Sequence, residues 1–597
     1  GIQSWRQVPD TCKNNFATLN SIDNNSGVLS NGNLTYGDDG SDGWNNSRAT
    51  IGASSGKWYW EVRADDVISA VMCMSVAGAA GNDSTNGARL GYLPGQSDDA
   101  GVTYYPNGRL YHADSQTGGQ VGWGASYDDG DIISIALDMD DSGGKVWFAK
   151  NNSWQGSGNP ATGTNPARNN LKTYADTWFP ISGTYFANTA QTFNFGQNPT
   201  FSGQITAGTY TDSNGKGLFK YQPPTGFLAL CEDNLPTPAI ADPGDHFKTV
   251  LWTGVDGTNK IKCGFQPDFV WIKNRDYVNW HALYDSIRGP YLELNSNTTS
   301  ANRDRSSNDG LRSFDSDGFT SGLDDNTGGR PGDSYVAWCW KAGGAAVSNT
   351  DGTITSQVSA NQTAGFSIVK WTSNGNTSVT TMGHGLAKTP KFMLLKRTVA
   401  ADNWFVYHSD IQTNNRQYVQ LNTTSATITS PNDFWSTSSS TFGIRQSSIA
   451  ANGQDCIAYC WAEIEGFSKF GSYDGNGNAN GPFVYCGFKP AWIMIKPYGS
   501  PSDSCYSGGY TSWSIYDSSR SPVNDNTTHE RVLFANRAYE EGKRGNGASS
   551  GAFQNIDFVS NGFKIRGNSN CETNTTSING FLFVAFAESP FQTANAK

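Results

Sequence analysis

The sequence predicts an all-β protein of several domains, and three observations support this prediction. Its second half repeats one set of four sequence phrases three times in the same order, which indicates a tandem array. Aromatic and β-branched runs alternate with stretches of Gly, Asn and Ser, as in short strands joined by turns. No sustained helical spacing of apolar residues accompanies them. At about 150 residues per domain, 597 residues suggest about four domains.

The first phrase of each repeat is a proline, an apolar run and a lysine. It occupies residues 267–273, 390–396 and 490–496, and it predicts a strand that begins at the proline. The second phrase places a Trp three residues before a Tyr in the second and third copies. The first copy has one extra residue after Trp280, which predicts a β-bulge there.

The third phrase is a short strand that ends in Asn, and the fourth is an apolar strand that closes each copy. Alignment of the fourth phrase puts Cys339, Cys460 and Ala587 at one position, which a small buried apolar residue explains. The cysteines show no zinc-ligand spacing. Cys505 and Cys571 have no counterparts in the other copies, so they are the predicted pair if a disulfide exists.

These phrases and the composition divide the chain into six parts. They are a junction segment 1–11, a β-sandwich 12–202, a linker 203–225, and β repeats at 226–345, 346–465 and 466–597, the last with a C-terminal tail. The opening residues carry no signal-peptide pattern and look like internal sequence, so we expect a processed or partial product.

The lysines that end the first phrase, Lys273, Lys396 and Lys496, recur in all three copies and are expected to belong to the framework. Two interpretations stay open. In one, the aliphatic stem is buried and the ammonium group reaches water or an ion-pair partner. In the other, each lysine forms an isopeptide bond with the asparagine that ends the third phrase, which would need a buried carboxylic acid nearby.

Charge and hydropathy exclude two classes of partner. A net charge of −11 disfavours a phosphate-backbone ligand, so no nucleic acid is expected, although a local basic patch is compatible with it. No apolar run approaches the ~20 residues of a membrane span, so no membrane insertion is expected.

The sequence predicts no catalytic residue, no cofactor and no metal. Two Gly-x-Ser-x-Gly strings, 52–56 and 547–551, lack the strand-then-helix context of a nucleophile elbow and predict turns. Residues 138–143 imitate the start of a calcium loop, but Ala149 stands where the loop needs its last carboxylate, so a hairpin turn is favoured.

The first module resembles the SPRY family. The strand at 57–62, the hairpin formed by 130–138 and 145–152, and the late Trp-Phe-Pro at 178–180 carry the resemblance. It implies a concanavalin-type β-sandwich that binds through variable loops and does not catalyse. No binding residue of the family transfers to a numbered position here.

Aromatic residues beside Gly, Asn and Ser are the predicted contact surface of this module. Exposed Trp and Tyr rings can stack on sugar rings, whereas the alternative for each ring is packing in the core. The five candidates are Trp44, Tyr104, Tyr105, Trp123 and Trp154.

The three repeats and the C-terminal residues 587–597 look like the ends of large virion proteins of tailed phages. The resemblance implies a non-enzymatic structural protein on the virion surface, in a tail fibre or another projection from tail or capsid. It also implies contact with other virion proteins and a host surface glycan or protein, a homo-oligomer that is commonly a trimer, and a missing N-terminal anchoring region.

Two alternatives stay open beside host attachment. One is a purely structural capsid or tail decoration protein whose repeats contact neighbouring subunits. The other is a glycan hydrolase, which would require two carboxylates that face each other in a cleft.

Overall fold

A computed structural model confirms the predicted all-β fold. The structure describes residues 14–25, 27–37, 40, 45–66, 73–78, 101–112, 122–184, 189–307, 309–499, 511–524, 531–544, 548–549, 555–566, 572–578 and 580–593. This part of the chain contains no α-helix and no helix that could span a membrane. Two compact units form, Gly1–Thr237 and Pro238–Lys597.

The first unit contains fourteen described strands in two sheets. The strands are β1 (Leu19–Asn25), β2 (Val28–Ser30), β3 (Thr35–Gly37), β4 (Asn45–Ala49), β5 (Lys57–Asp66), β6 (Cys73–Gly78), β7 (Gly101–Tyr104), β8 (Leu110–His112), β9 (Ile132–Asp138), β10 (Lys145–Lys150), β11 (Ser153–Trp154), β12 (Trp178–Thr184), β13 (Ala190–Asn194) and β14 (Leu228–Ala229). One sheet has the order β1-β4-β12-β6-β7-β8, and the other has the order β11-β10-β9-β5-β13-β3-β2. The predicted hairpin is β9–β10, with Asp138 opposite Lys145.

The segment predicted as a linker, 203–225, packs on this first unit. Phe219 within it is buried, and β14, which follows it, pairs in parallel with β5. Buried Glu61 of β5 accepts hydrogen bonds from the backbone N–H groups of Lys220 and Tyr221 at 2.9 and 2.8 Å. The compact unit therefore extends to residue 237, beyond the predicted boundary at 202.

The second unit contains three repeats, each with its own strands. The first repeat has β15 (Phe247–Thr253), β16 (Asn259–Lys262), β17 (Phe269–Asn274), β18 (Ala282–Asp285), β19 (Leu292–Glu293), β20 (Arg303–Asp304), β21 (Leu311–Asp315), β22 (Gly318–Ser321) and β23 (Ser334–Trp340). The second has β24 (Val347–Asn349), β25 (Ser356–Asn361), β26 (Phe366–Thr372), β27 (Val379–Gly383), β28 (Phe392–Arg397), β29 (Phe405–His408), β30 (Gln417–Gln420), β31 (Ile428–Thr429), β32 (Trp435–Thr437), β33 (Thr441–Arg445) and β34 (Asp455–Trp461). The third has β35 (Ser468–Tyr473), β36 (Asn480–Tyr485), β37 (Phe488–Pro497), β38 (Ser514–Asp517), β39 (Leu533–Phe534), β40 (Lys543–Arg544), β41 (Ala548–Ser549), β42 (Asn555–Val559), β43 (Gly562–Arg566) and β44 (Phe581–Pro590).

The described helices are turns of 3-10 helix, three residues each. They are Gln155–Ser157, Pro160–Thr162, Leu171–Thr173, Glu232–Asn234, Pro243–Asp245, Ser409–Ile411, Gln446–Ser448 and Phe591–Thr593.

Each repeat is built from the same two sheets. The larger sheet contains β15-β23-β17-β18 in the first repeat, β26-β34-β28-β29 in the second and β35-β44-β37-β38 in the third. The smaller sheet contains β16-β22-β21, β27-β33-β32 and β36-β43-β42. In the first repeat one face of the larger sheet closes a separate core with the smaller sheet. The other face joins a core that draws buried residues from all three repeats.

Strand register corrects two predictions about the repeats. The pairing of β17 with β18 runs without a shift, so the predicted bulge after Trp280 is absent. His281, directly before β18, takes the position of Trp404 and Trp513, directly before β29 and β38. In β44, the residue that corresponds to Cys339 and Cys460 is Ala585, two positions before the predicted Ala587.

Three corresponding aromatic rings meet in the shared core. Trp340, Trp461 and Phe586 hold the same register position in β23, β34 and β44. Their ring centroids are 6.0, 5.6 and 6.5 Å apart for the pairs 340/461, 340/586 and 461/586. Each repeat therefore touches the other two through the same residue, which places the three around a pseudo-threefold axis.

Hydrogen bonds between the repeats follow the same cycle. Each contact between two neighbouring repeats forms a seam. In each seam a ring nitrogen of one repeat lies 2.9 Å from a backbone carbonyl oxygen of its neighbour. The pairs are Trp404 Nε1 with Asn295 O, Trp513 Nε1 with Gln420 O, and His281 Nε2 with Phe534 O. Because the third repeat returns to the first, the three repeats close into a ring within one chain.

A second cycle joins backbone to backbone. An N–H group of each repeat donates to the carbonyl oxygen two residues after the recurrent lysine of a neighbouring repeat. The pairs are Asn302 N with Thr398 O at 2.7 Å, Thr427 N with Tyr498 O at 3.3 Å, and Glu541 N with Arg275 O at 2.8 Å.

The last residue of β18, β29 and β38 makes a third cyclic contact, but its chemistry varies. Asp285 accepts from the hydroxyl of Tyr459 at 2.7 Å, and Asp517 accepts from Trp338 Nε1 at 3.0 Å. In the second repeat His408 holds this position, with Nε2 at 3.3 Å from Phe583 O. The seams therefore keep their geometry while the side chains differ.

Candidate binding site

Two of the four described residues of the predicted aromatic surface are buried. Tyr104 and Tyr105 are buried, which removes both rings from any exposed surface. Trp123 is half-buried, and its ring packs edge-on against Tyr104 and Phe148 at 5.1 and 6.0 Å. Trp154 is half-buried at the end of β11, whereas Trp44 lies outside the described residues. The prediction of a contact surface is therefore wrong for Tyr104 and Tyr105.

The three recurrent lysines are buried, so their ammonium groups do not reach water. Lys273 Nζ donates to the carbonyl oxygens of Asn274 and Tyr277, Lys396 Nζ to those of Thr299 and Asp402, and Lys496 Nζ to that of Thr511. Burial lowers the pKa of the three amines to about 7, about 8 and about 7. Thr299 belongs to the first repeat, so the amine of Lys396 bridges a seam.

The isopeptide interpretation stays a prediction that these hydrogen bonds do not favour. The side-chain amide of Asn422 donates to Asn403 Oδ1, and that of Asn536 lies near Ser512 Oγ. Asn295 donates to His281 O and to buried Glu293. The asparagines thus engage partners other than the lysine amines.

The buried thiols of Cys339 and Cys460 lie within the sandwiches, where burial raises their pKa values. Both are free thiols, and Cys339 donates a hydrogen bond to the Cys263 sulfur. Cys505 and Cys571, the predicted disulfide pair, lie outside the described residues.

Two of the three motifs predicted to be turns connect strands as expected, whereas the described residues of the third, Ala548–Ser549, form β41, so the turn prediction is wrong for them. Residues 139–144 join β9 to β10, and the Asp138 carboxylate accepts the N–H groups of Asp140 and Asp141. Residues 52–56 lead directly into β5, while the second Gly-x-Ser-x-Gly string lies partly outside the described residues. No cluster of His, Cys, Asp and Glu that could hold a metal occurs in the described part of the chain.

A groove with an exposed aromatic ring and charged side chains lies in the first repeat. It has a volume of about 440 Å³, within the range of small-ligand sites. Its walls come from the loop before β18, the hairpin β19–β20 and the loop after β22. The lining residues are Val278, Asn279, Trp280, Arg303, Arg305, Leu323, Asp324, Asp325 and Asn326.

Trp280 is exposed because the first repeat departs from its sisters at one point. Trp404 and Trp513 are buried and hydrogen-bonded in the seams, and in the first repeat His281 performs that task. Trp271 Nε1 donates to His281 Nδ1 at 2.8 Å, so the His281 Nε2 carries the proton that the carbonyl of Phe534 accepts. Trp280 precedes His281, at the position of Asn403 and Ser512 in the sister repeats, and is 40% exposed at the groove.

Two arginine–aromatic pairs flank the groove. The guanidinium carbon of Arg303 lies 4.3 Å from the ring centroid of Trp280, and that of Arg330 lies 3.9 Å from the ring centroid of Tyr277. Such cation–π contacts hold long side chains in place. Val278 and Leu323 add exposed apolar surface beside Trp280.

The groove also rests on an internal ion network. Arg305 lies between two buried carboxylates, with Nε at 3.8 Å from Glu293 Oε2 and Nη2 in contact with Asp324. Glu293 in addition accepts the Tyr284 hydroxyl at 2.9 Å. The described carboxylates below the groove are thus bound to the same arginine.

The sequence signal for this site was the extra residue after Trp280, which the bulge prediction interpreted as a local backbone change. The partners of Trp280 could not be found in this way, because Arg303 and Leu323 lie on other loops that the repeat phrases do not include.

The geometry of the second unit defines a class of protein with three fused β-sandwiches closed in a ring. The chain belongs to the DUF7483 family, a domain of unknown function whose model matches residues 242–590. No curated protein matches the chain in sequence.

Among solved structures, the chain is similar to the SPRY domain of human HERC1, with 19% identity over 29% of this chain and 96% of that one, at a TM-score of 0.23. It is also similar to the PSpry domain of TRIM65, with 14% identity over 30% of this chain and 91% of that one, at a TM-score of 0.20.

Proposed function

We propose that this chain is a non-enzymatic structural protein on the surface of a tailed-phage particle, in a tail fibre or another projection, and that it contacts a host surface glycan or protein. The observation that carries the attachment role is the exposure of Trp280. Trp280 stands where the sister repeats have Asn403 and Ser512, and it is exposed in a groove beside Arg303. Outward aromatic rings of this kind recognise ligands by contact area.

A binding role is better supported than hydrolysis. A glycosidase needs one carboxyl group that stays protonated as a general acid and a second that acts as nucleophile or base. Below this groove, Glu293 and Asp324 are buried and share the cation Arg305. Both carboxylates are engaged in holding Arg305, so they belong to the fixed framework below the groove rather than to an open cleft with two facing carboxyl groups.

A purely structural role is the second candidate, and the closed ring of repeats favours it. Homotrimeric fibres place three copies around an axis, and this chain supplies three sandwiches around its own pseudo-threefold axis. A homo-oligomer stays a prediction, because the second unit needs no further copy to complete its shared core.

Two experiments test the proposal. Gold-labelled antibodies against the chain should decorate purified phage particles in electron micrographs. Excess purified protein should then reduce the adsorption of these particles to their host cells, and Trp280→Ala should abolish the competition.

Leu251→Ala is the matched control, since Leu251 is also 40% exposed, belongs to the same repeat and does not line the groove. Unlabelled particles would contradict the virion assignment. Labelled particles together with full competition by the Trp280→Ala protein would favour the structural role.

A further inference from the structure

The guanidinium group of Arg303 lacks a partner for one of its donors. Its Nη1 atom is buried, and no acceptor in the described part of the chain lies within hydrogen-bonding distance. The nearest carboxylate oxygen, Glu293 Oε1, is 3.5 Å away. That oxygen already accepts from Asn295 Nδ2 at 2.9 Å. The Nη1 atom is therefore turned towards Glu293, while 30% of the Arg303 side chain stays exposed at the groove.

The second arginine that lines the groove, Arg305, and the flanking Arg330 are held by carboxylates. Arg305 contacts Glu293 and Asp324, and Arg330 pairs with Asp333 at 2.9 Å. Arg303 is the more exposed of the two arginines that line the groove, with 30% of its side chain exposed against 12% for Arg305, so it is the one that an incoming anion can reach. A single cation in a chain of net charge −11 suits one carboxylate rather than a polyphosphate backbone, which requires several cations.

The remaining walls fit a flat, hydroxyl-bearing ring. Trp280, Val278 and Leu323 offer apolar surface for the ring face, with 40, 55 and 47% of their areas exposed. In the same loop as Leu323, Asp325 is exposed, and its carboxylate can accept hydrogen bonds from hydroxyl groups.

We propose that the groove binds an acidic glycan. The pyranose ring packs against Trp280, and the carboxylate of the sugar accepts hydrogen bonds from Arg303. This inference rests on the proposed attachment function and names the ligand class of the same groove.

The test compares acidic oligosaccharides with carboxyl-reduced counterparts of equal length. The probes are a galacturonic acid hexasaccharide and an N-acetylneuraminic acid trisaccharide, each beside its reduced form, titrated calorimetrically into the full chain. At least one acidic probe should bind about tenfold or more tightly than its reduced form at low salt, since hydrogen bonds to charged groups are the stronger ones. Added salt should diminish the difference.

Three variants assign the effect to residues. Arg303→Gln should bind the acidic probe as weakly as its reduced form, and Arg303→Lys, which keeps the charge, should retain part of the preference. Trp280→Ala should bind neither the acidic probe nor its reduced form, and Leu251→Ala should bind both like the wild type. The unfolding midpoint of each variant shows whether it is folded.

The outcomes separate this inference from the proposed function. Equal binding of acidic and reduced probes, or no binding of either, overturns the acidic-glycan assignment. If Trp280→Ala still abolishes adsorption competition in that case, the attachment function stands without it. A preference for acid that survives Arg303→Gln also overturns the inference, because the carboxylate would then bind elsewhere.

Discussion

Replacing Lys496 with methionine should change how the stability of the protein depends on pH. Lys496 is fully buried at the end of the apolar run in β37, and its amine donates to Thr511 O at 2.6 Å. Burial lowers the pKa of Lys496 to about 7, whereas a lysine in the unfolded chain has a pKa of about 10.4. Methionine keeps the shape of the side chain and removes the proton-binding group.

The direction of the effect follows from the protons bound. Between pH 7 and pH 10 the unfolded chain holds a proton on this lysine that the folded protein has largely released, so stability rises with pH. Below pH 7 the lysine is protonated in both states. Burial of its charge then lowers the free energy of unfolding by about 5 kcal/mol, at 1.36 kcal/mol per pKa unit. Raising the pH from 7 to 9 should therefore recover about 2 kcal/mol.

Urea unfolding at pH 7 and pH 9, followed by tryptophan fluorescence, measures this difference. From pH 7 to pH 9, the free energy of unfolding of the wild type should rise by about 2 kcal/mol more than that of Lys496→Met. Lys262→Met is the control, since the Lys262 side chain is 77% exposed, and it should follow the wild type. Equal pH dependence in wild type and Lys496→Met would refute the assignment of a depressed pKa to this amine.

Four further predictions concern packing, ion pairs, hydrogen bonds and covalent state. Trp461→Phe should be nearly neutral in urea unfolding because Phe586 fills the corresponding position, whereas Trp461→Ala should lose about 3–5 kcal/mol; equal losses would contradict the ring contact. Asp517→Ala should lose about 3–5 kcal/mol by leaving Arg520 buried without that carboxylate, and D517H/R520I, which copies the second repeat, should recover most of the loss. Glu61→Gln should accelerate deuterium exchange about tenfold or more at the two backbone amides that Glu61 accepts, and unchanged protection would show that they have other acceptors. The intact mass should equal the sequence mass, because the recurrent lysine amines donate to carbonyl groups; a deficit of one ammonia per bond would establish isopeptides instead.

The sequence was sufficient for the strands of the second unit because their pattern is local. Proline, apolar run and lysine occur within seven residues, and the predicted strands correspond to β17, β28 and β37. Burial of the lysines was not predictable in this way. The acceptor of Lys396 includes Thr299 O, which is 97 residues away in the chain and in another repeat.

Register errors have the same origin. Shifting β44 by two residues keeps each side chain on its face of the sheet, so the alternation that predicts a strand cannot distinguish Ala587 from Ala585. The pairing with strand β37 identifies the corresponding residue as Ala585, because Ile493 pairs with it. Likewise, the extra residue after Trp280 is compatible with a bulge or with a different residue in the seam. The hydrogen bond between His281 and Phe534 O shows that the seam residue has changed.

The aromatic candidates of the first unit show a further limit of composition. Tyr104 and Tyr105 stand beside glycine and asparagine in the sequence, as loop residues do, yet Tyr104 ends β7 and both are buried. A ring next to polar residues can still point inward, because neighbouring residues of a strand face opposite sides. Side-chain direction therefore required the sheet, and the neighbours in sequence did not supply it.

The pattern of agreement among the three repeats explains where function can develop. The three ring-nitrogen hydrogen bonds between the repeats all end on backbone carbonyl oxygens, which every residue possesses, so the donor can be histidine or tryptophan without loss of the bond. That tolerance allows the first repeat to exchange its seam tryptophan for His281 while the ring stays closed. Trp280 stands beside the seam rather than in it, so a departure from the repeat, and not the recurrent framework, supplies the exposed ring on which the proposed binding depends.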